Sequence, residues 1–171
     1  MNTVDYGVVK VRPATPRDAY ALSPRLRKAD LDEIQAASGD TPETVLRRGI
    51  EHGRAYSIVN TKGEILGIFG VGTVAPRVGV VWLLGSDDLT KISYIFLRES
   101  RVWLRKLFDG HDLLANVIDA RNTLHIRWLR WLGFHFVAQR PNYGTAGETF
   151  LEFCKLRPDE DKISTRGDGV S

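Results

Sequence analysis

The chain has 171 residues, 43% of them hydrophobic and 26% charged, the make-up of one compact domain with a sizeable core rather than of a disordered or membrane-embedded chain. Its longest apolar stretches, Val78 to Leu84 and the segment around Ile92 to Leu97, fall well short of the roughly 20 residues that span a bilayer. The net charge of +3 is mild, and Cys154 is the only cysteine, which excludes an internal disulfide and agrees with a reducing, cytoplasmic setting. No membrane span is expected, and the start MNTVDYGVVKV shows no basic region followed by a long apolar one, so no secretory signal is read.

In chain order, Tyr6 to Arg12 is valine-rich and reads as a strand that Pro13 brings to a close. A helix is expected from about Asp18 to about Ala37, with Ser23-Pro24 as a break and Ser38-Gly39-Asp40 as its stop. Thr41-Pro42-Glu43 offers a capping hydroxyl, a proline for the first turn and an early acid, so a second helix starts there and ends near Gly53.

The period then changes. Ala55 to Asn60, Ile65 to Val74 and Val78 to Leu84 read as three strands joined by turns too short for a crossover, hence an antiparallel meander. The third of them is nearly all apolar, which predicts a central strand covered on both faces. A long helix from about Thr90 to Asp109 puts Ile92, Phe96, Trp103 and Leu107 on one side and Tyr94, Arg98, Arg101 and Arg105 on the other. That arginine stripe reads first as a solvated face. No DNA- or RNA-binding motif accompanies it, so nucleic acid is not the expected partner. Leu113 to Asp119 is a further strand, Asn122 opens a short helix that Gly133 closes, and His135 to Arg140 and Glu148 to Leu156 are the last two strands. From Arg157 to Ser171 the sequence is polar and reads as a tail outside the single domain of residues 1–156.

Strand, helix, helix, three meandering strands, helix, strand, helix, two strands is the element order of the GCN5-related N-acetyltransferase (GNAT) fold, and the chain resembles that superfamily over Val8 to Leu156. Arg12-Pro13-Ala14-Thr15-Pro16-Arg17-Asp18 is similar to the family's entry from first strand to first helix, and Asn122 with Gly133-Phe134 is similar to its closing motif. More narrowly, Asn122 to Leu129 (NTLHIRWL) and Trp82 to Asp87 (WLLGSD) resemble small tailed-phage proteins of the internal virion protein A type. The resemblance implies an α/β (α+β) domain with a mainly antiparallel sheet of six or seven strands, about four flanking helices, and a splay between the fourth and fifth strands. It implies acetyl-CoA as cosubstrate, with the pantetheine arm paired to a free strand edge at Trp82, Leu83, Leu84 and Gly85. The diphosphate would then sit at the next helix N-terminus, near Thr90, Lys91 and Ile92, and Asn122 would complete the site.

Two departures stand out. The turn Gly85-Ser86-Asp87-Asp88-Leu89-Thr90-Lys91 carries one glycine where the family's loop carries two, and its two aspartates stand where phosphates would come. Leu129 occupies the position of the family's general-acid tyrosine, four residues before Gly133. Proton transfer to and from an amine and a thiol needs titratable groups, and the candidates are His125, Asp119 and Tyr143, with Glu148 more remote. His125 reads either as a core histidine or as a proton carrier with an ordinary pKa near 6.5. The four histidines show no metal-ligand spacing, so no metal is expected.

Two functions are carried forward. In one, the chain is a phage-encoded acetyltransferase acting on an amine of a protein or small molecule. In the other, the fold is a catalytically degenerate scaffold that binds a host or virion protein, in the host cytoplasm or in the virion. Trp128 and Trp131 read as core or partner contacts, and exposure there points to self-association.

Overall fold

The computed structural model describes residues 3–159. Among them, eight strands form one sheet: β1 (Val4–Asp5), β2 (Val9–Pro13), β3 (Arg54–Asn60), β4 (Ile65–Ala75), β5 (Val78–Gly85), β6 (Leu113–Asp119), β7 (His135–Tyr143) and β8 (Glu148–Leu156). Their spatial order is β1-β2-β3-β4-β5-β6-β8-β7, and every pairing is antiparallel except that of β5 with β6. Five α-helices flank it: α1 (Pro16–Leu22), α2 (Lys28–Ala37), α3 (Pro42–Glu51), α4 (Ser93–Leu107) and α5 (Thr123–Trp131). This is the mixed, mainly antiparallel architecture expected from the sequence, with one strand and one helix more.

The additional strand is β1, two residues too short to leave a periodic pattern, paired to β2 through Val4 and Val11. The additional helix comes from the Ser23-Pro24 break, where a 3₁₀ turn over Ser23–Arg25 separates α1 from α2. Thr15 caps α1 reciprocally with Asp18, and Asp18 also receives Arg12 at 2.7 Å and the Ser57 hydroxyl at 2.8 Å. That buried carboxylate fastens the first helix to β2 and β3. Burial works against its charge, but the Arg12 guanidinium and the donors from Thr15 and Ser57 outweigh it and hold its pKa below the usual carboxylate range.

Two apolar layers enclose the sheet. On one face Leu22, Ile34 and Leu46 from α1–α3 pack on Ala55, Val59, Ile68 and Leu84. On the other, Trp103, Leu104, Leu107 and Ile126 from α4 and α5 pack on Val11, Tyr56, Ile58, Val81 and Leu114. The alternation along β3 and β5 assigns neighbouring residues to opposite layers, as a strand of period two requires. On α4 the arginine stripe is solvated, with Tyr94, Arg98, Arg101 and Arg105 exposed. Trp128 is buried, whereas Trp131 is exposed under the stacked Arg101 guanidinium.

Arg157 is buried and its N–H donates to the Asp112 carbonyl at 2.7 Å, so it belongs to the folded body. Residues 160–171 of the expected tail lie outside the described residues. No helix among those described is long and apolar enough to cross a membrane.

Candidate functional site

The parallel pairing of β5 with β6 runs only from Val78 with Leu113 to Val80 with Ala115. Beyond it the strands part. Asn116 bridges the start of the gap by donating from Nδ2 to the Val81 carbonyl at 2.8 Å. At the far end, the Gly85 N–H donates to Asp30 Oδ2 and the Gly85 carbonyl accepts from the Arg27 N–H, both at 2.9 Å, while Leu26 bridges to Ser86. Val81 and Gly85 therefore turn their backbone groups away from β4. By the same alternation Leu83, midway between them, directs its N–H and C=O into the gap.

A mostly apolar cavity of about 650 Å³ passes through this gap from one face of the sheet to the other. On the α4 and α5 side it is lined by Ile92, Ile95, Phe96, Trp128 and Leu129. On the α2 and α3 side it is lined by Glu33, Ile34, Val45, Trp82, Tyr143 and Phe150. Gly49 of α3 lets the Trp82 ring lie against the helix, since a Cβ there would come within 2.5 Å of the ring. The β7–β8 hairpin closes the α2 end: Thr145 donates to the Ala36 and Gln35 carbonyls, both at 3.0 Å, and Gly144 fits only because it lacks a Cβ and holds φ at +66°.

Where the strands are farthest apart, a buried polar cluster joins α2 to α5. Arg27 donates from Nη2 to Asp30 Oδ1 at 2.9 Å and approaches His125 Nε2 at 2.9 Å. Asn122 Nδ2 donates to Glu33 Oε2 at 3.0 Å and to Asp30 Oδ1 at 3.3 Å. Asn122 thus sits at the helix start, as expected, but its side chain makes no cap and reaches across to α2 instead. A guanidinium can only donate, so His125 Nε2 must carry the lone pair and Nδ1 the proton, facing Asp30 Oδ1 at 3.7 Å. Burial disfavours the imidazolium, and despite the attraction of Asp30 it brings the His125 pKa down to about 4, helped by the Arg27 charge.

Glu33 behaves oppositely. Burial pushes its carboxyl up to about 7, reinforced by the nearby Asp30 and Asp119 and only partly offset by the Asn122 donor. It lies on the cavity wall. Among the expected proton carriers, His125 is on that wall as well, but its free nitrogen is committed to Arg27. Asp119 is not on the wall: it is buried and receives Arg121 from Nη2 at 2.7 Å. Burial opposes its charge, yet the Arg121 guanidinium and N–H prevail and keep its pKa below the ordinary range. Tyr143 lines the cavity with its ring tilted at 40° against Phe150, centroids 4.8 Å apart.

Among the expected coenzyme residues, Trp82, Leu83, Leu84 and Ile92 line the cavity. Gly85, Thr90, Lys91 and Asn122 do not. The expected diphosphate turn is a 3₁₀ helix over Asp87–Ile92, where Thr90 donates to the Asp87 carbonyl and Lys91 pairs with Asp88, both at 2.7 Å. Asp88 also meets Arg25 at 3.3 Å, so its charge is balanced within the turn. Helix α4 then begins with no side-chain cap and no acid in its first turn. Among the described residues no three metal-ligating side chains group together.

No protein-family model matches the sequence, and no curated protein matches it either. Solved structures do match the fold. The ribosomal-protein-S5-alanine acetyltransferase of Vibrio fischeri superposes with a TM-score of 0.68 at 16% identity, covering 93% of this chain and 98% of its own. A GCN5-related N-acetyltransferase from Kribbella flavida gives 0.64 at 16% identity, covering 90% and 100%. Ard1 of Thermoplasma volcanium gives 0.64 at 13% identity, covering 89% and 99%. The chain has the GNAT fold. The splay between β5 and β6 is the one expected between the fourth and fifth strands, renumbered by the short β1.

Proposed function

We propose that the chain is a GNAT-type N-acyltransferase that moves the acetyl group of acetyl-CoA to an amine, with Glu33 as the base. The observation that carries this reading is the cavity through the splayed strands with a half-neutral carboxyl on its wall. The residues present fit the pantetheine part of acetyl-CoA: an apolar gap of ligand size, and the Leu83 N–H and C=O for its amides. The diphosphate end would be met by the uncapped start of α4. Bound acetyl-CoA supplies a thioester carbonyl.

The chain's own residues do the rest. The α2 and α3 side leaves an amine room to reach that carbonyl from the face opposite α4. Glu33, titrating near neutrality, takes the amine proton as the nitrogen–carbon bond forms and the carbon–sulfur bond breaks. Sulfur leaves as a thiolate, which water protonates, so the leucine at position 129 is no obstacle. The hydrogen bond from Asn122 fixes the carboxylate, and Arg27 and Asp30 fix Asn122.

Isothermal titration with acetyl-CoA tests the reading. Micromolar affinity, about −8 kcal/mol, supports it, as does product formation that Glu33→Gln removes while binding persists. No binding up to millimolar acetyl-CoA overturns it.

A second reading is favoured by the same edge. Arg27, Asp30 and Leu26 cover the end of β5, and the turn that follows is folded on itself. In that reading the fold serves as a scaffold for a host or virion protein or for a second copy of the chain. The resemblance of Trp82 to Asp87 and Asn122 to Leu129 to phage internal virion proteins supports a phage origin under either reading, acting in the host cytoplasm or the virion.

A further inference from the structure

We infer that the acceptor is a primary amine with an apolar body, such as an arylalkyl or alkyl amine, rather than a polyamine, an aminoglycoside or a lysine side chain. The inference rests on the transferase reading and concerns the half of the cavity on the α2 and α3 side. There Ile34, Val45, Trp82, Tyr143 and Phe150 surround the carboxyl of Glu33. Arg48 and His52 of α3 also line the cavity, Arg48 paired with Asp40 at 3.1 Å, and the cavity's other carboxyl, Glu99 of α4, is paired with Arg98 at 2.7 Å. Other carboxylates nearby are turned elsewhere. Asp30 is held by Arg27 and the Gly85 N–H, and Asp119 by Arg121, and neither lines the cavity.

One carboxyl receives one ammonium. A polycation would set its second charge against aliphatic and aromatic side chains, where it loses hydration and gains no partner. An apolar body instead loses only unfavourable contact with water. The pocket is also walled. The β7–β8 hairpin is pinned to the end of α2 by Thr145, and Trp82 is held flat against Gly49, so depth is fixed by rigid neighbours. A macromolecular lysine would need an open trough at this place, and the hairpin crosses it.

The same apolar half could in principle be filled by a long acyl chain, and the test separates the two sources. The full chain is incubated with acetyl-CoA and either 2-phenylethylamine, n-hexylamine, spermidine or a lysine-containing peptide, and N-acetylated product is quantified by mass spectrometry. Decanoyl-CoA is run against the same amines. The expected result is a kcat/KM for 2-phenylethylamine with acetyl-CoA at least 100-fold above that for spermidine, and a loss of activity with decanoyl-CoA. Val45→Asp, which adds a second carboxyl to the wall, is expected to raise the KM for 2-phenylethylamine about tenfold and to improve spermidine.

Preference for spermidine or the peptide overturns the inference and leaves the transferase reading standing. Faster transfer from decanoyl-CoA overturns it in favour of an acyl-chain pocket. No product with any amine, together with no binding of acetyl-CoA by titration, removes both.

Discussion

Arg27 and His125, 98 positions apart in sequence, meet through Nη2 and Nε2 at 2.9 Å and share Asp30 between them. This contact settles the protonation of the histidine, because the only lone pair of the ring is taken by a group that cannot accept a proton. The imidazole is expected to remain neutral with its proton on Nδ1 from pH 9 down to about pH 4. Nitrogen-15 chemical shifts of the ring across that range check this, and a midpoint near 6.5 would refute it. Its folded pKa lies below the unfolded value of 6.5, so the unfolded chain binds the extra proton first. The stability it contributes is present above pH 6.5 and is lost as pH falls toward 4, up to about 3 kcal/mol.

Glu33 imposes the opposite slope. Its folded pKa, about 7, stands above the ordinary 4.5, so its contribution is present below pH 4.5 and lost as pH rises through 7. The variant Glu33→Gln should therefore melt with the native protein at pH 4.5 and about 7–13 °C above it at pH 8. A Tm difference that does not grow with pH would show that the carboxyl is not perturbed.

The same residue sets the rate profile. With Glu33 as base, kcat/KM for acetyl transfer rises with pH to a plateau through a midpoint near 7. Glu33→Gln should lower kcat by about 10²–10⁴ and abolish that midpoint. A His125→Gln variant that erased the midpoint while Glu33→Gln kept it would transfer the role to the histidine.

Arg27→Met leaves Asp30 buried at 1% exposure without its cation. Removing one partner of such a pair costs about 3–5 kcal/mol, more than a surface ion pair could. Chemical denaturation should show that loss, whereas Lys28→Met, which breaks the exposed pair with Asp32, should change stability by less than about 1 kcal/mol.

Gly49→Ala sets two effects against each other. Alanine in a helix interior gains roughly 0.5–1 kcal/mol over glycine. The new Cβ, however, falls 2.5 Å from Trp82 Cζ2 and must push the ring into the cavity, an overpacking cost of about 1–3 kcal/mol. The clash wins: net destabilisation is expected, with a shift in tryptophan fluorescence and a higher KM for the amine.

Much of this fold was legible because periodicity reports it. The apolar run Val78 to Leu84 announced a central strand, and the Thr41-Pro42-Glu43 start and the Ser23-Pro24 break both appear in the structure. The same run misled on burial, because Val80, Trp82 and Leu83 are only partly covered where the sheet opens. The helix expected from Thr90 begins at Ser93 because Asp87–Ile92 winds as a tighter turn around buried Leu89, a preference no start signal distinguishes.

The site was harder to see for a different reason. Glu33 follows Asp30 and Asp32 in a stretch that reads as an acidic, solvated helix face, and only Asn122, 89 residues later, makes it special. Asn122 itself reads as a helix cap, and nothing local reveals that its amide turns away from its own helix. Charge pairs formed within a few residues, such as Asp119 with Arg121, leave a trace in sequence. Contacts between α2 and α5 leave none.

The covered end of β5 also bears on what the chain does before anything binds. A sheet that opens in its middle exposes strand edge on both sides of the opening, and such an edge is a template for pairing with a neighbouring chain. Here, on β5, Asn116 occupies one end of it and Leu26, Arg27 and Asp30 the other, and Leu83 between them is left to offer its amide. The outer margins are guarded in kind: β1 is two residues long, and β7 carries Arg140, Pro141 and two register shifts. Contacts that narrow the entrance for a ligand thus also protect a concentrated, ligand-free population from edge-to-edge aggregation.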